Sequence, residues 1–195
     1  MKTSFQNVYQ IKISLIGSKP SIWRRIQIPE KATFWDLHVA IQDAMGWEDD
    51  HLHEFQIKNA GNIVIGISSD PRSLHSTKVP VSKYLNKEKD SMEYLYDFGD
   101  SWWHKLVLEK ILPKAPNQVY PVCLAGEMAC PPEDSGGLGG YYYKLEVLSD
   151  PQDPDYNDVL EWMGEDFDPN HFDPNEVQFS DPESCWNIVE KYGVF

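Results

Sequence analysis

The sequence has no run of about 18 apolar residues, the length that crosses a bilayer as a helix, and its opening Met1-Lys2-Thr3-Ser4 lacks the apolar stretch of a secretory signal. Neither membrane insertion nor export is indicated, and the cytoplasm is the expected compartment. Cysteine is scarce: Cys123, Cys130 and Cys185 are the 3 present. An odd number in a chain without a signal suits reduced thiols better than a disulfide framework. Positive charge is also short, with 17 Lys and Arg against 31 Asp and Glu and a formal net charge of −14. Long-range repulsion from a phosphate backbone therefore opposes direct nucleic-acid binding. The best candidate for a local basic patch is Trp23-Arg24-Arg25 with Lys12 and Lys19.

Aromatics, by contrast, are abundant: 7 Trp, 10 Tyr and 8 Phe in a chain that is 41% hydrophobic. Disordered chains are poor in such residues, so an ordered chain is expected. At 195 residues the chain is near the upper end for one domain. A single core of that size buries roughly 70% of the unfolded surface and needs no metal or disulfide to fold.

Tyr9, Ile11, Ile13 and Leu15 alternate with Gln10, Lys12 and Ser14 at the period of a half-buried strand. Ile22, Arg24, Ile26 and Ile28 share one side of a second strand that ends at Pro29, which predicts a hairpin. Thr33 followed by Asp36 resembles a capping box, and Leu37, Ala40, Ile41, Ala44 and Met45 then line one helical face before Gly46. His51, His53, Phe55 and Ile57 return to strand period. Residues 66–92 read as a polar excursion. Tyr94–Asp97 and Trp102–Ile111 read as a hairpin around Phe98-Gly99-Asp100-Ser101.

After Pro113 the composition shifts to Pro, Gly and acidic residues, with helical stripes at Tyr141/Leu145/Leu148, at Val159/Leu160/Met163 and at Trp186/Val189. The expected fold is α+β in a single domain, residues 1–195. A β-grasp-like mixed sheet at 9–111 packs on one main helix, and a helical, acidic C-terminal extension at 113–195 wraps on that core. Asp-Pro recurs at Asp150, Asp153, Asp168, Asp173 and Asp181. The structural reading is that Asp accepts backbone N–H bonds while Pro occupies a position that needs no donor. Residues 166–177 are not a calcium loop, because His171 stands where glycine is required and Val177 where glutamate is.

Three constellations could carry chemistry. The first is His51-x-His53, whose alternate side chains on a strand point the same way, with His53 leading onto the core face of Phe55 and Ile57. The second is Tyr96-Asp97-Phe98-Gly99-Asp100-Ser101-Trp102-Trp103-His104. With a four-residue loop, Asp97 would face Trp102 and lie diagonal to His104. The alternative is that Asp97 or Asp100 caps the turn and His104 is a satisfied, half-buried residue. The third is the loop from Cys130 to Gly140 with Glu133 and Asp134. Its six-residue spacing from Cys123 is too long for a zinc knuckle, and it lacks the Lys-Ser or Lys-Thr of a phosphate loop.

These segments carry a resemblance. Tyr9 to Lys12, Ile22 to Arg25, Thr33 to His38, Trp47 to Phe55, Tyr96 to His104 and Cys130 to Gly137 resemble the plasmid pRiA4b ORF-3-like family over nearly the whole chain. The resemblance implies a β-grasp-like fold and no assigned reaction. Many relatives have a second Cys after Pro-Pro-Glu-Asp where this chain has Ser135, so no thiol-pair role is carried over. Some members bear a resolvase-type label, but the sequence has no recognisable nucleophile-plus-arginine cluster for recombinase chemistry.

Two functions remain open. One is a non-catalytic binding or interaction module whose partner is a protein or small ligand. It should show an exposed aromatic or apolar patch, with Trp102 or Trp103 as candidates. The other is a metal-dependent, hydrolase-like enzyme in which His53, Asp97, Asp100, His104, Glu133 and Asp134 converge. A divalent metal would be bound by His53 and His104 while a free carboxylate served as base. DNA binding through Arg24 and Arg25 ranks third.

Overall fold

Residues 4–67 and 72–193 are described by the structure, a computed structural model. Apolar alternation sets the first hairpin. β1 (Asn7–Leu15) buries Tyr9, Ile11, Ile13 and Leu15, and β2 (Trp23–Pro29) buries Arg24, Ile26 and Ile28. Ile11 stands opposite Ile26 and Ile13 opposite Arg24, so these side chains share one face.

Helix α1 (Phe34–Met45) crosses that face. Thr33 Oγ1 accepts from Asp36 N at 3.2 Å and Thr33 N donates to Asp36 Oδ2 at 2.7 Å, the reciprocal bonds expected of a capping box. Gly46 ends the helix at φ 91°, a left-handed conformation that favours glycine. Leu37, Ile41 and Met45 are buried, as their spacing predicts.

The other strands are β3 (His53–Ile57), β4 (Ile63–Gly66), β5 (Leu74–His75), β6 (Ser91–Tyr96), β7 (Trp102–Pro113) and β8 (Val122–Glu127). They complete an eight-stranded sheet of order β5-β4-β3-β6-β7-β1-β2-β8. Among the described residues, only β4 and β5 pair parallel; the neighbours elsewhere are antiparallel. The architecture is thus α+β, with a mixed eight-stranded sheet and, among the described residues, four α-helices. Two sequence expectations need correction here. The excursion after residue 66 contains β5, and the stretch after Pro113 begins with a strand, β8, paired to β2.

The remaining helices are α2 (Gly137–Ser149), α3 (Tyr156–Met163) and α4 (Pro182–Tyr192). Helix α4 lies against α1, where Trp35 Nε1 donates to Pro182 O at 2.8 Å and the Trp35 and Trp186 rings meet edge-on at 5.3 Å. The five Asp-Pro dipeptides after Pro113 all use the aspartate as a local acceptor. Asp150, Asp153, Asp168 and Asp173 each take the N–H two residues on, and Asp181 caps α4 by accepting from Ser184 N.

The basic pair on β2 is engaged internally. Arg24 is buried, donates to the carbonyls of Ala44, Trp23 and Glu127 and stacks on the Phe172 ring at 3.8 Å. Arg25 forms a two-pronged pair with Glu109 at 2.6 and 2.9 Å. No helix among the described residues is long and apolar enough to cross a membrane.

Candidate functional site

Three loops meet at the end of the sheet where β6 turns into β7. The first, residues 47–52, leaves α1 at Gly46. The second, residues 97–101, joins β6 to β7. The third, residues 130–136, leads into α2. Tyr96 stands at their centre, its ring stacked on Trp47 at 4.9 Å. Burial and the neighbouring Glu133 raise the Tyr96 pKa, so the phenol keeps its proton and donates to Glu133 Oε1 at 2.6 Å. Its oxygen accepts from Asp50 N at 3.1 Å. Glu133 Oε1 also accepts from Glu48 N at 3.1 Å, and Trp47 Nε1 donates to Pro131 O at 3.0 Å. Asp100 Oδ2 takes Gly136 N at 2.9 Å. Gly137 is required beside it: φ is +66°, and a Cβ there would fall 2.5 Å from Asp100 O.

The β6–β7 turn differs from its expected register. Tyr96, not Asp97, faces Trp102, and Tyr94 faces His104, which leaves a five-residue loop. The cause is backbone conformation at the corners. Asp97 (φ 53°) and Ser101 (φ 59°) both turn left-handed, and Asp97 leaves the strand to accept Gly99 N at 2.8 Å. Asp97 therefore does not lie diagonal to His104; its second carboxylate oxygen faces His51. His51 Nε2 is 3.8 Å from Asp97 Oδ2 and 3.3 Å from Asp134 Oδ1.

Beneath this outer group lies a buried polar chain. Gln42 Nε2 donates to Tyr94 Oη at 2.9 Å, so the Tyr94 proton is free to go to His38 Nδ1 at 2.8 Å. His38 Nε2–H then donates to Asp49 Oδ1 at 2.7 Å. Burial and then Asp50 push the Asp49 carboxyl up to about 7, and burial lowers His38 to about 3. His38 is thus a neutral link whose tautomer is assigned by its two partners. The His53 ring stacks on it at 3.5 Å, and burial, then His38 and His75, lower its pKa as well.

The two histidines expected to share a metal are placed on strands that are not neighbours. His53 on β3 and His104 on β7 face the same side of the sheet, but β6 runs between them. Two strand spacings put them roughly 10 Å apart, whereas ligands bonded at about 2 Å to one ion must lie within about 4 Å of each other. Both are fully buried, and none of their ring nitrogens has a hydrogen-bond partner among the described residues. Burial lowers His104 to about 3; the Trp102 and Tyr94 carbonyls lie near enough to oppose that without forming a well-shaped bond.

The six expected site residues therefore divide by role. Asp97 and Asp134 face the outer group, Asp100 and Glu133 tie the loops together, and His53 and His104 sit inside the core. Trp102 is buried and Trp103 half-buried, so the expected patch is not formed by either. Sequence reasoning passed over His51 in favour of His53 because both share strand period; His51 lies just before β3 begins. It also missed His38, Asp49 and Tyr94, whose pairing joins elements far apart in the chain.

An α+β scaffold with a polar junction of three clamped loops at one sheet end defines the class. The chain belongs to the plasmid pRiA4b ORF-3-like family, which it matches over residues 7–176. It is 33% identical over 159 residues to the uncharacterized protein y4hQ of Sinorhizobium fredii, covering 81% of each chain. A crystal structure of a protein of unknown function, MM3350 from Methanosarcina mazei Go1, is similar at 47% identity and a TM-score of 0.83. That similarity covers 90% of this chain and all of the other.

Proposed function

We propose that this protein is a non-catalytic binding module whose ligand-facing end is the junction of residues 47–52, 97–101 and 130–136. The observation that carries the reading is the clamp itself. Glu133 joins Tyr96 and Glu48, and Trp47 joins Pro131, while His51 and Asp134 remain open to solvent. Loops held rigid on a sheet with polar groups facing outward are how folds present binding residues. The imidazoles most perturbed by their surroundings, His38, His53 and His104, have no exposure. A general acid or base needs reach to its substrate, so these three read as structural.

The partner we favour is a protein or small ligand, a choice supported by the net charge of −14 and by the internal engagement of Arg24 and Arg25. We read the whole chain as one cytoplasmic domain. A β-grasp-like core at 9–111 is supported by the order β1, β2, α1, β3, and the remainder, 113–195, packs on it through β8 and α4. Amide chemical-shift mapping of the full chain against a library of small fragments and short peptides tests the reading. Hits should cluster on the three loops; hits confined to the open face of the sheet around Trp23 and Arg25 would refute it.

A further inference from the structure

We infer that His51, Asp97 and Asp134 form a site for a divalent cation of the zinc or manganese class. Each offers one ligand atom, and the three atoms lie within 4.8 Å of one another. A cation bonded at about 2.0–2.2 Å to tetrahedral ligands sets them roughly 3.4 Å apart. The His51–Asp134 separation of 3.3 Å already meets that, and the His51–Asp97 separation of 3.8 Å needs a shift of a few tenths of an ångström.

A second observation points to a ligand. The Asp97 side chain is only 10% exposed. Its Oδ1 is occupied by Gly99 N, but Oδ2 accepts no hydrogen bond among the described residues, and His51 is the cation-capable group beside it. Oδ2 keeps contact with solvent, so an ion can reach it, and the net charge of −14 draws cations toward the chain. A bound cation supplies the missing partner.

The ligands are also held in place by the groups around them. Asp97 is fixed by its own turn. His51 follows Asp50, whose N–H is bonded to Tyr96 Oη, and Asp134 follows Glu133, which is bonded to Tyr96 and Glu48. One imidazole with two carboxylates favours zinc or manganese over calcium and magnesium, which take mostly oxygen ligands. Three protein ligands leave coordination positions for water or for an anionic group of a partner, and Asp134, 78% exposed, keeps that side open. The inference rests on the reading of this junction as the ligand-facing end and gives it a chemistry.

The competing account is an ion pair alone, with a protonated His51 between two carboxylates. Calorimetric titration of the chelator-treated full chain with zinc or manganese alone separates the two, alongside His51→Gln, Asp97→Asn and Asp134→Asn. The expected result is a single equivalent bound by the wild type and affinity reduced roughly 10- to 100-fold or more in each variant, with the His51 ring resonances shifting on metal addition. Asp134 is exposed, so Asp134→Asn decides the matter if Asp97→Asn unfolds. Equal binding by wild type, His51→Gln and Asp134→Asn would move the metal elsewhere and overturn the inference. No uptake of either metal at millimolar concentration would also overturn it. The binding-module reading would in that case still stand or fall on where fragments and peptides bind.

Discussion

His104 packs edge-on beneath Trp47, with Tyr94 and the cationic Arg24 as its other neighbours. Burial depresses it from 6.5 to about 3. Between those values the unfolded chain binds a proton that the folded chain refuses, so the stability present above pH 6.5 is lost as the pH falls toward 3. His38 acts in the same direction, while Asp49, raised to about 7, acts in the opposite one. Urea midpoints measured across this range should fall steeply with acid for the wild type and less steeply for His104→Leu, which removes one such proton. Identical slopes would mean that His104 titrates normally. At this scale the sequence revealed the residue types and hid their partners. Asp97 and His104 stand in one motif, yet the left-handed corner at Asp97 turns its carboxylate toward His51, and no spacing rule anticipates a corner.

Helix α1 was the most legible element, because cap, apolar stripe and terminating glycine all agree over one short stretch. Thr33, Asp36 and Gly46 each do what their local chemistry predicts, and Ile41 points into the sheet with no exposure. Replacing Ile41 by Ala should cost about 2–5 kcal/mol through lost transfer energy and the cavity left behind, read as a lower urea midpoint with an unchanged slope. A cost under about 0.5 kcal/mol, the range of surface substitutions, would contradict the packing of α1 on the sheet. Short strands were illegible for the opposite reason. β5 has 2 residues, and β8 pairs through a register shift between Cys123 and Ala125. Neither shows the sustained alternation that identifies β1, and both exist because a sheet edge is there to receive them.

Across the whole molecule, the loops that make the junction come from residues 47 to 136, and nothing local in the sequence relates them. Motif density drew attention to Glu133, Asp134 and the β6–β7 turn, but their assembly depends on Tyr96, a strand residue with no catalytic reputation. The central claim is that these loops form one unit held by the Tyr96–Glu133–Glu48 contacts. Site-resolved hydrogen exchange of Glu133→Ala against wild type tests it most directly. The account predicts that the amides of Glu48 and Asp50 lose protection together with that of Gly136, while β1 and β7 stay protected. Loss confined to Glu48, with Asp50 and Gly136 unchanged, would show three independent loops and contradict it.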